Sequence, residues 1–334
     1  MKKNITLHLI IVKKEMDYLY TIGGLFLLLA GGDYLVNGAV DIANRLKISP
    51  LIVGMTIVAF GTSAPELIVS LEAAITGHPE ISLGNVIGSN IANIGLILGL
   101  MALILPLAVQ KVSFTRDMPF LIMISVMLFA VMKDGMISRY EGIMFLLLIV
   151  CHTIFCITQT PKPATEVIPE PKYNIFVAFL ITAASIAALA LGSDLLIDGA
   201  SGIARNWGIS ERVIAITIVA FGTSVPELVT SIIAAAKKDA DIAIGNIIGS
   251  NIFNILFVLG TSATIHPISN YSFTTFKVDL LCMIAFAVAL IIGIFPFRRM
   301  ILKKQYPDAR YSSLGRIAGA IILTGYIAYI ILLF

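Results

Sequence analysis

At 334 residues, 58% hydrophobic and only 13% charged, with a mean hydropathy of +0.96, the chain has too little polar surface for a soluble domain. Its net charge of +3 is small and sits in short loops, which points to membrane topology and away from nucleic-acid binding. Cys151, Cys156 and Cys282 lie in apolar runs, with no metal-ligand pattern and no disulfide framework.

A bilayer core needs roughly 20 helical residues per crossing. Runs of that length predict an all-α polytopic membrane protein with ten spans, at about 18–44, 50–76, 81–106, 117–134, 139–158, 174–205, 211–236, 241–265, 275–297 and 314–334. The start, "MKKNITLHLIIVKK", lacks the long apolar core and cleavage site of a signal peptide, so residues 1–15 are expected to be a tail. Residues 159–173 carry four prolines (161, 163, 169 and 171) and mixed charge, which predicts a cytoplasmic linker.

One phrase is written twice. "TIVAFGTSAPELIVS" (56–70) and "TIVAFGTSVPELVTS" (217–231) agree at 12 of 15 positions, at an offset of 161. At the same offset, "GNVIGSNIANIG" (84–95) matches "GNIIGSNIFNIL" (245–256) at 9 of 12 positions. Asp33 pairs with Asp194, Gly38 with Gly199 and Ser49 with Ser210. The chain therefore reads as two five-helix units, 16–158 with its motif at 56–95 and 174–334 with its motif at 217–256. Five crossings are an odd number, so the second unit must be inverted relative to the first. That predicts discontinuous helices 2, 3, 7 and 8 around a midplane site, as in secondary transporters.

Loop charges give an orientation. Alternate loops hold thirteen Lys and Arg residues on one side and five on the other. The first side should be cytoplasmic, with both termini outside the cell, although four lysines near the N-terminus oppose this. The expected setting is a bacterial or archaeal cell (inner) membrane, the expected partner the lipid bilayer, and the expected state a monomer.

Glu66 and Glu227 lie deep in spans two and seven, with no Lys or Arg at that depth to pair with. Ionisable groups inside a membrane are costly and mark function. Pro65 and Pro226 lack an N–H, so each breaks its helix one turn upstream and frees the carbonyls of Gly61 and Gly222. The carbonyls of Ala59 and Ala220 can then turn toward a cavity, beside the hydroxyls of Thr62, Ser63, Thr223 and Ser224. Ser89 and Asn93 share a helix face at i, i+4, as do Ser250 and Asn254. Asn90 and Asn251 point elsewhere and are read either as further ligands or, preferably, as residues that cap and cross-link helices. Glycines 84, 88, 245 and 249 should allow close helix approach. The donors are all hard oxygen, which suits Ca²⁺ or Na⁺ rather than zinc or copper. Two carboxylates neutralise one Ca²⁺ or two Na⁺; a third Na⁺ would leave one positive charge and make the cycle sensitive to voltage.

These phrases, "GTSAPE" with "GTSVPE" and the paired "GNxIGSN", resemble the α1 and α2 repeats of the cation/calcium exchanger superfamily, most nearly its prokaryotic sodium/calcium exchangers. The resemblance covers essentially all ten spans. It implies antiport of Ca²⁺ against Na⁺ by alternating access, with no cofactor. It also implies that Glu66 and Glu227 ligate Ca²⁺, and that Thr62, Ser63, Ala59, Ser89, Thr223, Ser224, Ala220 and Ser250 line the ion sites. Some members carry Asp at the position of Asn254; here both Asn93 and Asn254 are amides, which leans against K⁺ dependence. Spans one and six, with "GGDYLVNGA" and "GSDLLIDGA", correspond to the moving bundle. Asp33 and Asp194 within them are read as either ion-path residues or helix-end residues. Glu72 has no counterpart in the second copy and is expected to be solvated, and the lone His152 to be packed.

The rival reading is a H⁺/Ca²⁺ antiporter that uses the same glutamates, because buried carboxylates also accept protons. An intramembrane hydrolase built on Ser63 or Ser224 lacks a general base near either serine. A passive channel fits two inverted, non-identical halves less well than alternating access does.

Overall fold

The computed structural model describes residues 2–159, 172–209, 220–294 and 312–333. Among these, eight helices are long and apolar enough to cross a membrane, or nine if one bent pair counts as a single span. Helix α1 is Lys2–Leu46. The bent pair is α2 (Pro50–Thr62) and α3 (Ala64–Ile75), followed by α4 (Pro79–Ile104), α5 (Ser113–Asp134) and α6 (Arg139–Gln159). The second part holds α7 (Ile175–Asn206), a short α8 (Ala220–Gly222), α9 (Val225–Ala236), α10 (Ala240–Ile265), α11 (Phe273–Ile294) and α12 (Arg316–Leu333). Two short antiparallel ladders tie helix ends together: β1 (Leu107–Val109) pairs with β4 (Ser312–Leu314), and β2 (Met136–Ile137) with β3 (Ile268–Ser269).

The predicted spans match these helices within a few residues, with two corrections. Residues 2–15 are not an irregular tail but continue α1, because no proline or glycine interrupts the chain before Gly23. The third and eighth predicted spans, α4 and α10, are not discontinuous. Neither has a proline after its first turn, and each stays helical by passing through a wide π turn, at Asn93–Leu98 and Asn254–Val258. The breaks in spans two and seven are present. Spans α2 and α3 meet at Ser63 with a 47° bend, and α8 and α9 are separated at Thr223 and Ser224. Most of the proline-rich linker and residues 211–219 of the seventh predicted span lie outside the described residues.

Helices α1 and α7 run antiparallel in close contact. A methyl group at Gly24 would sit 2.7 Å from the Gly192 carbonyl, and one at Gly38 would sit 2.5 Å from Thr182 Oγ1. Only a residue without Cβ permits this approach. At one end of the pair, the buried Asp17 accepts from Asn206 at 3.1 Å. Toward the other end, Asp41 accepts the backbone N–H groups of Lys172 and Tyr173 at 3.2 and 2.9 Å, and Arg45 donates to the Tyr173 carbonyl. The buried centre is formed by α2, α4 and α10; the apolar window of α10 is 94% buried, as its run of Ile, Ala and Gly on every face requires.

Candidate ion-binding site

Each proline sits in the first turn of a new helix, where its missing N–H costs nothing. That register also puts Glu66 and Glu227 in the first turns of α3 and α9. There the unpaired N–H groups and the helix dipole favour negative charge. Both glutamates are 0% exposed. Among the described residues neither has a basic partner; the ion pairs present are Arg116–Asp117 and Lys237–Asp33.

The carboxylates are held by hydroxyls from both copies of the phrase. Ser63 stands at the cap position of α3, yet its hydroxyl does not cap that helix. It donates instead to Glu227 Oε1 at 3.1 Å, and Ser89 donates to Glu66 Oε1 at 3.4 Å. Thr62 donates to Asn246 Oδ1 at 3.0 Å and touches Ser250 Oγ at 3.3 Å. Thr223 and Ser224 are buried at the second break. Thus hydrogen bonds tie Glu66 to Ser89, Glu227 to Ser63, and Thr62 to Ser250 in the buried centre, with Thr223 and Ser224 buried at the break that precedes Glu227.

Asn93 and Asn254 join them, each opening a π turn and each 0% exposed. Their amide nitrogens are spent across the centre. Asn93 donates to Asn251 Oδ1 at 3.3 Å, and Asn254 donates to Asn90 Oδ1 at 3.2 Å. Asn90 also donates to the Asn251 carbonyl at 3.3 Å, so Asn90 and Asn251 do link α4 to α10. The expected carbonyl ligands are less available. Ala59 O accepts Ser63 N–H at 3.0 Å and Thr62 Oγ1 at 3.4 Å. Ala220 begins α8, at the edge of the described residues. The freed Gly222 carbonyl is taken by Ser193 of α7 at 2.9 Å, which joins α7 to the break.

Two asparagines were missed. Asn85 donates to the Glu66 carbonyl at 3.1 Å and to Ser70 at 2.9 Å. Its counterpart Asn246 donates to Ser231 at 3.0 Å, and Ser70 and Ser231 are themselves related by the offset of 161. The signal was available, since both asparagines stand in the repeated "GNxIGSN" phrase. Other candidates fall away from the centre: Glu72 and Asp194 are exposed, and Asp33 pairs with Lys237 at 2.6 Å. His152 is packed as expected, stacked on Phe120 with centroids 3.9 Å apart. The three cysteines are free, as expected, but the fold adds a cluster that the sequence pattern does not show. Cys156 lies beside His152 and Asp117 with ligand atoms within 4.8 Å of one another, because helical spacing and a neighbouring helix supply what a sequence pattern does not.

Comparison with known proteins shows the family of the chain. The family described as "Sodium/calcium exchanger protein" matches residues 16–158 and 177–334. The chain is 37% identical to the "Putative antiporter CaxA" of Alkalimonas amylolytica, over 95% of this chain and 98% of that protein. It is 30% identical to the "Sodium/calcium exchanger MaX1" of Methanosarcina acetivorans, over 96% of this chain and 99% of that one. Its fold is similar to solved structures of the sodium-calcium exchanger NCX_Mj, with a TM-score of 0.79 at 30% identity, covering 95% of this chain and 99% of that chain. With the broken helices, the doubled phrase and matches over nearly its whole length, the chain belongs to the sodium/calcium exchanger family of membrane cation antiporters.

Proposed function

We propose that the chain exchanges Ca²⁺ for Na⁺ by alternating access around the cage built on Glu66 and Glu227. The observation that carries this reading is a set of buried oxygens with no hydrogen-bond partner among the described residues: Glu66 Oε2, Glu227 Oε2, Asn93 Oδ1, Asn254 Oδ1 and Ser224 Oγ. An unsatisfied buried acceptor is costly, and five gathered at one centre suit a cation as the missing partner. All are hard oxygen donors, and Ca²⁺ takes about six to eight such ligands. Thr62, Ser63, Thr223, Ser89 and Ser250 supply further oxygens, with the Ala59 and Ala220 carbonyls completing the set as the helix breaks flex. Both carboxylates come from one chain, so a monomer suffices.

The inverted repeat belongs to the same proposal. Gly31 of α1 meets Ser185 and Leu189 of α7; Gly192, its counterpart at the offset of 161, meets Gly24 and Leu28, the counterparts of those residues. The two Asn–Asn bonds across the cage are related in the same way. Antiparallel packing of α1 on its own copy is what inversion requires. The cage then draws one broken helix from each side of the membrane, with residues 16–158 and 174–334 as the two halves. Placing the Lys237 end in the cytoplasm follows from the loop charges and is supported by the gathering of Arg45, Lys172 and Lys237 along the C-terminal half of α1.

The test is Ca²⁺ uptake into proteoliposomes at equal pH, with and without an outward Na⁺ gradient. Uptake that requires Na⁺ is expected. Uptake that ignores Na⁺ and follows an outward H⁺ gradient would assign the same cage to proton coupling. No uptake under either gradient would overturn the antiport reading for this chain. The coupling ion has a second handle at Asn254. Asn254→Asp adds a carboxylate to the cage and is expected to shift the Na⁺ or pH dependence of transport by roughly tenfold or more. Unchanged dependence would remove Asn254 from the ligand set.

A further inference from the structure

Asp117, His152 and Cys156 are buried together, away from the oxygen cage. His152 and Cys156 are i, i+4 on α6 and so share one face. Asp117 comes from α5, at the end of another wide turn, Ser113–Asp117. Cys156 Sγ lies 3.4 Å from His152 Nε2 and 4.0 Å from Asp117 Oδ1. Metal bonds of about 2.3 Å to sulfur and about 2.0 Å to nitrogen, set tetrahedrally, put S and N roughly 3.5 Å apart. The Cys–His pair already stands at that spacing, and one ligand atom from each of the three side chains lies within 4.8 Å of the others.

The plane of the His152 ring is held by the parallel Phe120, with centroids 3.9 Å apart. Arg116 occupies Asp117 Oδ1 at 2.6 Å, whereas Oδ2 is buried with no hydrogen-bond partner among the described residues. The carboxylate can therefore keep its ion pair and still offer an oxygen to a cation. A small cavity beside the cluster is lined by His152, Thr153 and Cys156 on one side and by Met55, Ile252 and Phe253 on the other. It gives room for a water as fourth ligand.

We propose that Asp117, His152 and Cys156 bind a borderline-soft divalent cation of the zinc class, at a site separate from the one that carries the exchanged ions. The donor set decides the class. Thiolate and imidazole select zinc-type ions over Ca²⁺ and Na⁺, which the all-oxygen cage prefers. The bound ion would pin α5 to α6 directly behind α2 and α10, the helices that carry Thr62 and Ser250.

The experiment uses the full-length chain in lipid nanodiscs, with Cd²⁺ as a spectroscopic probe and Zn²⁺ as competitor. One Cd²⁺ per chain should give thiolate-to-metal absorption in the ultraviolet, removed by Zn²⁺ and unaffected by excess Ca²⁺ or Na⁺. Cys156→Ser should abolish the band and Cys151→Ser should leave it. His152→Gln should weaken binding by about 10–100-fold, at least the loss that follows removal of a supporting partner at a metal site. A band that survives Cys156→Ser, or no band at all, would overturn the proposal. Should Cys156→Ser elute as aggregate, X-ray absorption of the zinc-loaded unmutated chain decides. Sulfur at about 2.3 Å from zinc is expected, and a shell of oxygen and nitrogen alone would overturn it.

Discussion

Glu66→Gln and Glu227→Gln should each abolish Ca²⁺ transport while leaving the protein folded. Both side chains are fully buried and lack a basic partner among the described residues, so neither carboxylate holds the fold together through an ion pair. Gln keeps the size and can still accept Ser63 or Ser89, which now bond Oε1 of each glutamate. What it removes is one unit of charge. A unit charge about 4 Å away is worth about 4 kcal/mol at an effective dielectric of about 20, close to three powers of ten in affinity. Ca²⁺ in a cage with one carboxylate is left with an uncompensated charge in a low-dielectric centre. Uptake in proteoliposomes should fall to roughly a thousandth, with an unchanged size-exclusion profile. Substantial Ca²⁺ uptake by either variant would remove the two-carboxylate cage.

The sequence exposed this pair unusually well, for an identifiable physical reason. A proline inside an apolar run and a carboxylate one residue later both violate the rules of a membrane helix, and only function explains both together. The repeat then fixed which residues correspond, before any contact was known. Other parts were hidden because they depend on winding and distance. Nothing in "SNIANIG" distinguishes a broken helix from a π turn, so α4 and α10 were expected to be interrupted when they are continuous. Asn85 and Asn246 resemble ordinary polar residues near a helix start until the fold brings them to Ser70 and Ser231. Cys156 and His152 lie four residues apart in plain sight, but Asp117 joins them only through the packing of α5 on α6.

Gly249→Ala tests whether the cage depends on the contact between halves. Its Cβ would fall 2.7 Å from Met55 Cα and Met55 O and 2.8 Å from Ala59 Cβ. Two of those atoms are backbone, so no side chain can swing aside. Alanine gains about 1 kcal/mol in helix propensity over glycine. Overpacking of this kind costs about 1–3 kcal/mol, so the clash should win and α10 should move off α2. That motion pulls Ser250 and Asn246 away from Thr62, which they now meet at 3.3 and 3.0 Å. Gly249→Ala is therefore expected to lower the melting temperature in detergent and to cut Ca²⁺ transport together. Gly249→Leu should fail to fold. Gly325→Ala is the control, because its nearest neighbour, Phe286, would be 3.7 Å away, an ordinary contact, and its stability should hold or rise slightly. The equivalent contact of Gly88 would fall on residue 216, outside the described residues. If Gly249→Ala keeps both stability and transport, the approach of α10 to α2 does not set the cage, and Thr62 and Ser250 would have to act without the close packing that now joins them.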